Sequence, residues 1–302
     1  MRIILFGGSG FLGKHLIIRL SASGHSITLI TRRPEAMKQM VQSAVAVHPW
    51  TTAEALASIL DGADAIVNLM GESIGAKRWS VKRKQEILSS RLETTKAIVQ
   101  AIGLASKRPS VLLNASAVGY YGNVESGDVT EEHVPGKDFL ADVCVRWEEE
   151  ARKAELFGVR VALARTGIVL AKDGGALQRM LLPFRLFAGG PLGSGKQWFP
   201  WIHIDDEIGA MIHLLQHAQL SGPVNLVSPE SLTMKQFCSA LGKAMHRPSW
   251  AQVPSFVLKA VLGEMAEALV LGGQKVVPRK LTQSGYRFRY PGIDQALVEI
   301  FP

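Results

Sequence analysis

The chain has 302 residues, of which 47% are hydrophobic and 20% charged, with a formal net charge of +8 at pH 7. This composition excludes a disordered or fibrous chain and allows one large or two medium domains. Its two cysteines, Cys144 and Cys238, stand far apart and outside any C-x-x-C pair, which argues against a disulfide framework or a cysteine zinc site and suits a reducing, cytoplasmic setting.

In chain order, the first half alternates near-continuous apolar runs with amphipathic segments. The runs at 2–7, 26–31, 44–48, 64–70, 110–116 and 159–166 read as strands covered on both faces. The segments at 11–23, 52–60, 80–106 and 139–157 read as helices between them. This alternation predicts an α/β fold, a Rossmann-type doubly wound parallel sheet. From about residue 171 the texture shifts to Gly, Pro and aromatics, as in "AGGPLGSGKQWFPW" (188–201), read as loops and short elements. We therefore expect a dinucleotide-binding domain over 1–170 and a smaller C-terminal substrate region over 171–302. The strand and helix near 202–228 are expected to return to the first domain. The apolar stretch at 256–273 is broken by Lys259, Glu264 and Glu267, so no membrane span is expected, and "RIILFGG" is too short for a signal peptide.

The first strand runs into "GGSGFLG" (7–13), with Gly7, Gly10 and Gly13 between strand and helix and Phe11 and Leu12 opening the helix. One glycine makes the turn, one admits a pyrophosphate, and one lets the helix pack on the strand. The helix start then offers free N–H groups to phosphate. The stretches Gly8–Lys14 and Gly190–Lys196 also fit G-x-x-x-x-G-K, but His15 and Gln197 follow where a Ser or Thr would hold magnesium. An NTPase is therefore not expected. The second strand ends in Thr31, Arg32 and Arg33, where an NAD site would carry an acid. Arginine there forks onto a 2′-phosphate, so the expected cofactor is NADP(H), with Arg32 the nearer contact.

Taken with "NLMGESIGAKRW…SRLETT" (68–95), "SAVGYYG" (116–122), the block at 181–206 and the tail at 271–288, these motifs make the chain resemble a short-chain dehydrogenase/reductase of the extended or atypical type. More narrowly, it resembles the epimerase-family proteins described as NADP-dependent nucleotide-sugar epimerases or oxidoreductases. The resemblance implies that Leu69, Met70 and Gly71 line the cofactor after the fourth strand. It makes Glu86 and Arg91 candidate ligands on the following helix. It also brings Arg165, Thr166, Gly167 and Ile168 toward the nicotinamide half.

Ordinary members of that superfamily use a serine after the fifth strand and a Tyr-x-x-x-Lys motif on the next helix. Ser116 matches the serine, but no tyrosine here is followed four residues later by lysine. Three readings remain. Tyr121 or Tyr120 replaces the missing phenol beside Ser116; the substrate supplies its own group; or the protein binds NADP(H) without turnover, as a sensor or scaffold. The expected partner is a small molecule, anionic or sugar-like if Arg185, Lys196, Trp198 and Trp201 line the site. The basic residues form no long block, and no nucleic-acid partner is expected. A homodimer through the helices at 80–106 and 139–157 is expected. No metal site is expected: His213 and His217 lack a third ligand, and Asp205 or Asp206 reads as a helix cap.

Overall fold

The structure, a computed structural model, describes residues 1–40 and 45–302. Its frame is a seven-stranded sheet. The strands are β1 (Arg2–Phe6), β2 (Ser26–Thr31), β3 (Ala46–Pro49), β4 (Ala65–Asn68), β5 (Val111–Ala117), β7 (Arg160–Thr166) and β11 (Gly222–Leu226). Between these lie the short strands β6 (Asp128–Val129), β8 (Ile168–Ala171), β9 (Gly174–Gly175) and β10 (Trp201–His203), and β12 (Lys275–Val276) follows. The sheet order is β11-β7-β5-β4-β1-β2-β3, with every pairing parallel. The third strand, expected over 44–48, begins at Ala46; Ala44 lies outside the described residues.

Alternation along the strands builds two cores. Ile3 and Leu5 pack toward α1 (Phe11–Ala22), while Ile4 and Phe6 face the opposite layer. The helices α2 (Pro34–Met40), α3 (Ala53–Leu60), α4 (Val81–Leu104) and α5 (Phe139–Arg152) follow in chain order. Leu56 of α3, Ile98 and Ile102 of α4 and Ala151 of α5 bury against Ile4 and Phe6. The fifth helix stops short of residue 157, and the chain tightens into a 3-10 turn over Lys153–Phe157 that ends on the left-handed Gly158.

The C-terminal half is less loop-like than its composition suggested. It contributes α6 (Leu177–Arg185), α7 (Ile204–Gln216), α8 (Met234–Met245), α9 (Ser255–Leu262), α10 (Arg279–Gln283) and α11 (Ile293–Ile300). Part of it returns to the first layer: Met211 and Leu214 of α7 pack against Leu16 and Leu20 of α1, and β11 extends the main sheet. The remainder closes around a core of its own, with Phe184, Trp201, Phe237 and Leu297 buried together.

One expectation here is corrected. The cap of α7 is His203, whose Nδ1 accepts from the Asp205 amide at 3.2 Å. Asp206 is buried and serves the tail instead. It accepts from the backbone N–H groups of Arg289 at 2.7 Å and Tyr290 at 2.8 Å, and from the Tyr286 hydroxyl at 3.3 Å. Replacing Asp206 with alanine removes the acceptor of the Arg289 and Tyr290 amides, while the Tyr286 hydroxyl keeps the Asp206 carbonyl at 3.0 Å, and should destabilise the fold by about 1–3 kcal/mol. Urea denaturation checks this; an unchanged midpoint contradicts it.

Candidate active site

The turn from β1 to α1 is built around two forced glycines. Gly7 has φ +85°, and a Cβ there would sit 2.8 Å from the Leu69 carbonyl carbon. A Cβ on Gly13 would lie 2.4 Å from the Gly7 carbonyl oxygen, so only glycine lets α1 start this close to the strand. Gly10 is the N-cap, no side chain caps the helix, and no acid sits in its first turn. The first-turn amides at Phe11, Leu12 and Gly13 therefore face outward at the positive end of the helix dipole, a geometry that fits a pyrophosphate. The Phe11 ring itself turns away, meeting His15 edge-on with centroids 5.4 Å apart.

At the end of β2, the Thr31 hydroxyl accepts from the Arg33 amide at 3.2 Å and shapes the turn. The Arg32 side chain is 69% exposed, and among the described residues its one ionic contact is a loose 3.8 Å approach to Glu72. A guanidinium this open and this weakly held can turn onto a 2′-phosphate.

A cavity of about 390 Å³ opens at the carboxyl edge of the sheet. Leu12, Leu69, Met70, Gly71, Arg91, Ser116, Thr166 and Ile168 bound it on the sheet side, and Gln197 to Pro200, Ala268 to Val270 and Gly272 to Gln274 close it from the C-terminal half. Arg91 lies beneath Gly71, donating to the carbonyls of Glu72 and Ile87 at 3.1 and 2.9 Å, with its guanidinium over Trp147. Glu86 does not join it; its carboxylate turns to Arg83 at 2.9 Å.

The Ser116 hydroxyl donates to Glu148 Oε1 at 2.6 Å. Glu148, on α5, is held by Arg165 of β7 through two parallel bonds of 2.8 Å, and both side chains are nearly sealed from solvent. Burial works against the charge of Arg165, but the hydrogen bonds and charge of Glu148 outweigh it, so its ionisation is pushed further from neutrality. Arg165 also donates to the Tyr121 hydroxyl at 3.0 Å, and that hydroxyl donates to Asn225 Oδ1 at 2.6 Å. The Tyr120 ring covers the guanidinium at 3.4 Å.

The predicted residues therefore divide. Ser116, Leu12, Leu69, Met70, Gly71, Arg91 and Ile168 meet around the cavity, while Tyr120 and Tyr121 do not line it. The Tyr121 phenol is 2% exposed and burial pushes it up to about 12, so the structure places it in the support of Arg165 rather than in reach of a ligand. Arg165 faces α5 while its neighbour Thr166 reaches the cavity, because successive strand residues point to opposite faces. Of the four residues expected over the site from the 181–206 block, Trp198 lines the cavity. Trp201 is buried in the C-terminal core, and Arg185 and Lys196 are exposed away from the cavity. Glu148 was missed by motif reading, as was Cys144, whose cavity-lining thiol is pushed up to about 12 by burial and then by the Glu148 charge. Among the described residues no group of three or more His, Cys, Asp or Glu side chains is arranged to hold a metal ion, and no helix is long and apolar enough to cross a membrane.

The model of the NAD dependent epimerase/dehydratase family matches residues 3–226. The chain belongs to that family. A second model, a domain of unknown function named DUF1731, matches residues 253–300. The chain is 42% identical over 300 residues to the epimerase family protein SDR39U1 homolog, chloroplastic, of Arabidopsis thaliana, covering 98% of this chain and 86% of that protein. The crystal structure of human epimerase family protein SDR39U1 (isoform 2) with NADPH superposes with a TM-score of 0.88 at 37% identity, over 99% of both chains. A nucleoside-diphosphate sugar epimerase from Corynebacterium glutamicum matches at 29% identity and TM-score 0.74, over all of this chain and 58% of that one.

This epimerase-family chain keeps a second carboxyl near the cavity. Glu207 of α7 is wholly buried; its Oε1 accepts from the Thr166 hydroxyl at 2.7 Å and its Oε2 has no partner among the described residues. Burial pushes its pKa up to about 8 from an ordinary 4.5. The unfolded chain ionises this group near 4.5 and the folded chain only near 8, so its contribution is fully present below 4.5 and is lost as pH rises through about 8. Thermal unfolding across that range should show the wild type losing stability more steeply than Glu207→Gln. Parallel curves for the two proteins contradict the assignment.

Proposed function

We propose that this protein binds NADP(H) at the β1–α1 turn and the Arg32 corner, and catalyses oxidoreduction, or epimerisation through transient oxidation, of a small molecule held in the cavity. The observation that carries the reading is the Ser116–Glu148 hydrogen bond at the cavity wall. The NADPH in the structure of the human relative supports the choice of cofactor. Bound NADP(H) supplies or takes up the hydride.

The protein's part is the proton. With its own hydrogen committed to Glu148, Ser116 turns its lone pairs to the cavity and accepts from a substrate hydroxyl. As that hydroxyl becomes a carbonyl, its proton passes to Ser116 Oγ and the serine proton passes to Glu148 Oε1. The pair then does the work of the missing Tyr-x-x-x-Lys motif, and Arg165 holds the carboxylate in place. Epimerisation needs the same group to return the proton on re-reduction, and a carboxyl can do both. Tyr121 is a positioning residue on the far side of Arg165.

Cofactor choice is tested by titrating NADPH and NADH against wild type and Arg32→Ala. A charge-assisted contact of about 1.5–3 kcal/mol gives a preference for NADPH of roughly 10- to 100-fold, largely erased in the variant. Equal wild-type affinities remove Arg32 from the site. The proton route is tested with ketones and secondary alcohols, followed at the NADPH absorbance. Ser116→Ala and Glu148→Gln should lower turnover by roughly 10²-fold or more while still binding NADPH, and Tyr121→Phe should turn over within a few-fold of wild type. A collapse confined to Tyr121→Phe reverses these roles. Tight NADPH binding without turnover of any compound makes the protein a non-catalytic NADP(H) sensor or scaffold.

A further inference from the structure

We infer that the cavity takes an uncharged, mainly hydrocarbon alcohol or its ketone, and not a nucleoside diphosphate sugar; the inference rests on the cavity being the substrate site proposed above. The reason lies in the hydroxyl, amide and indole donors of the wall, which are already committed. Ser116 gives its hydrogen to Glu148 and Thr166 gives its own to Glu207. The Gln197 amide nitrogen serves the carbonyls of Leu192 and Val270 at 2.9 and 2.8 Å. The Gln274 amide nitrogen serves Val118 at 2.7 Å, and the Trp147 indole N–H serves Thr95 at 2.9 Å.

The cation supply is equally short. Among the described residues Arg91 is the one cation lining the cavity; it lies beneath Gly71, on the side proposed for the cofactor, with Nη1 given to two backbone carbonyls and its guanidinium stacked over Trp147. A small recess sharing Leu140 and Gly272 with the cavity adds Asp138 and Glu267, both acidic. A pyrophosphate brought here would meet acceptors, carboxylates and apolar carbon, and would have to share a single guanidinium, Arg91, with the cofactor.

The space does match a hydrocarbon body with a hydroxyl. Leu140, Val143, Trp198, Phe199 and Leu269 present apolar surface to it. Ser116 and Gln274 line it with their donors spent, which leaves the Ser116 hydroxyl oxygen and the Gln274 side-chain carbonyl as acceptors. A wall of acceptors selects a ligand that donates, and an apolar wall selects one that gains by leaving water.

The test uses the full chain saturated with NADP(H) and two probes, 2-decalol and UDP-glucose. Calorimetry should show 2-decalol binding, and a tenfold excess of UDP-glucose should not displace it. Trp198→Ala and, separately, Leu269→Ala should each weaken 2-decalol at least about tenfold. Displacement by UDP-glucose, binding of UDP-glucose alone, binding of neither probe, or indifference to both substitutions overturns the inference. The proposed activity is read separately at the NADPH absorbance. If 2-decalol binds and is not oxidised, the substrate class stands and the oxidoreductase reading falls; if UDP-glucose is turned over, the reverse holds.

Discussion

A charge pair hidden from water organises the centre of this protein. Arg165 and Glu148 join β7 to α5 with side chains only 3% and 4% exposed. Two ions taken out of water are tolerated only when their remaining donors and acceptors are satisfied. Here the guanidinium gives two bonds to Glu148, one to Tyr121 and one to the Glu131 carbonyl, and the carboxylate takes a further bond from Ser116. The network reaches β11 through Asn225, whose amide nitrogen goes on to the Val277 carbonyl in the C-terminal half. The pair thereby ties both halves of the chain to one point behind the cavity.

That arrangement decides what each hydroxyl can do. Glu148 accepts from Ser116, so the capacity left to the Ser116 hydroxyl is that of an acceptor. Arg165 donates to Tyr121 and Tyr121 donates to Asn225, so the phenol is used in both directions inside the core. One turn of the β7 strand then separates support from site: Arg165 looks back into the protein, and Thr166, the next residue, looks into the cavity and leans on Glu207. Two hydroxyl–carboxyl pairs thus approach the cavity from adjacent strands, one carboxyl paired with arginine and the other without a cation, its pKa pushed up by burial.

Much of the frame was legible because it rests on local patterns. The apolar runs that became β1, β2, β4, β5 and β7, and the spacing of Gly7, Gly10 and Gly13, need only neighbours in sequence to be read. The candidate site was harder, because motif reading looked for a tyrosine and a lysine and not for the groups that stand beside Ser116. A signal was present. The buried positions of α5 fall at Leu140, Ala141, Val143, Cys144, Trp147, Glu148 and Ala151, so Glu148 lies on the apolar stripe while Glu149 and Glu150 do not. An acid on that stripe demands a buried cation, and Arg165, following the apolar run Val161–Ala164 of β7, is its counterpart. What no local pattern carries is the pairing itself, which depends on how α5 lies across β5 and β7, or the fate of Tyr121, which depends on an asparagine 104 residues away.

The account turns on where Ser116 stands relative to the bound cofactor. A crystal structure of the protein with NADPH measures that directly. The account places the nicotinamide ring against Ser116, with the Ser116–Glu148–Arg165 chain intact and the Tyr121 hydroxyl still on Asn225. A nicotinamide ring seated away from Ser116, or a Tyr121 phenol swung into the cavity with its bond to Asn225 broken, would contradict it.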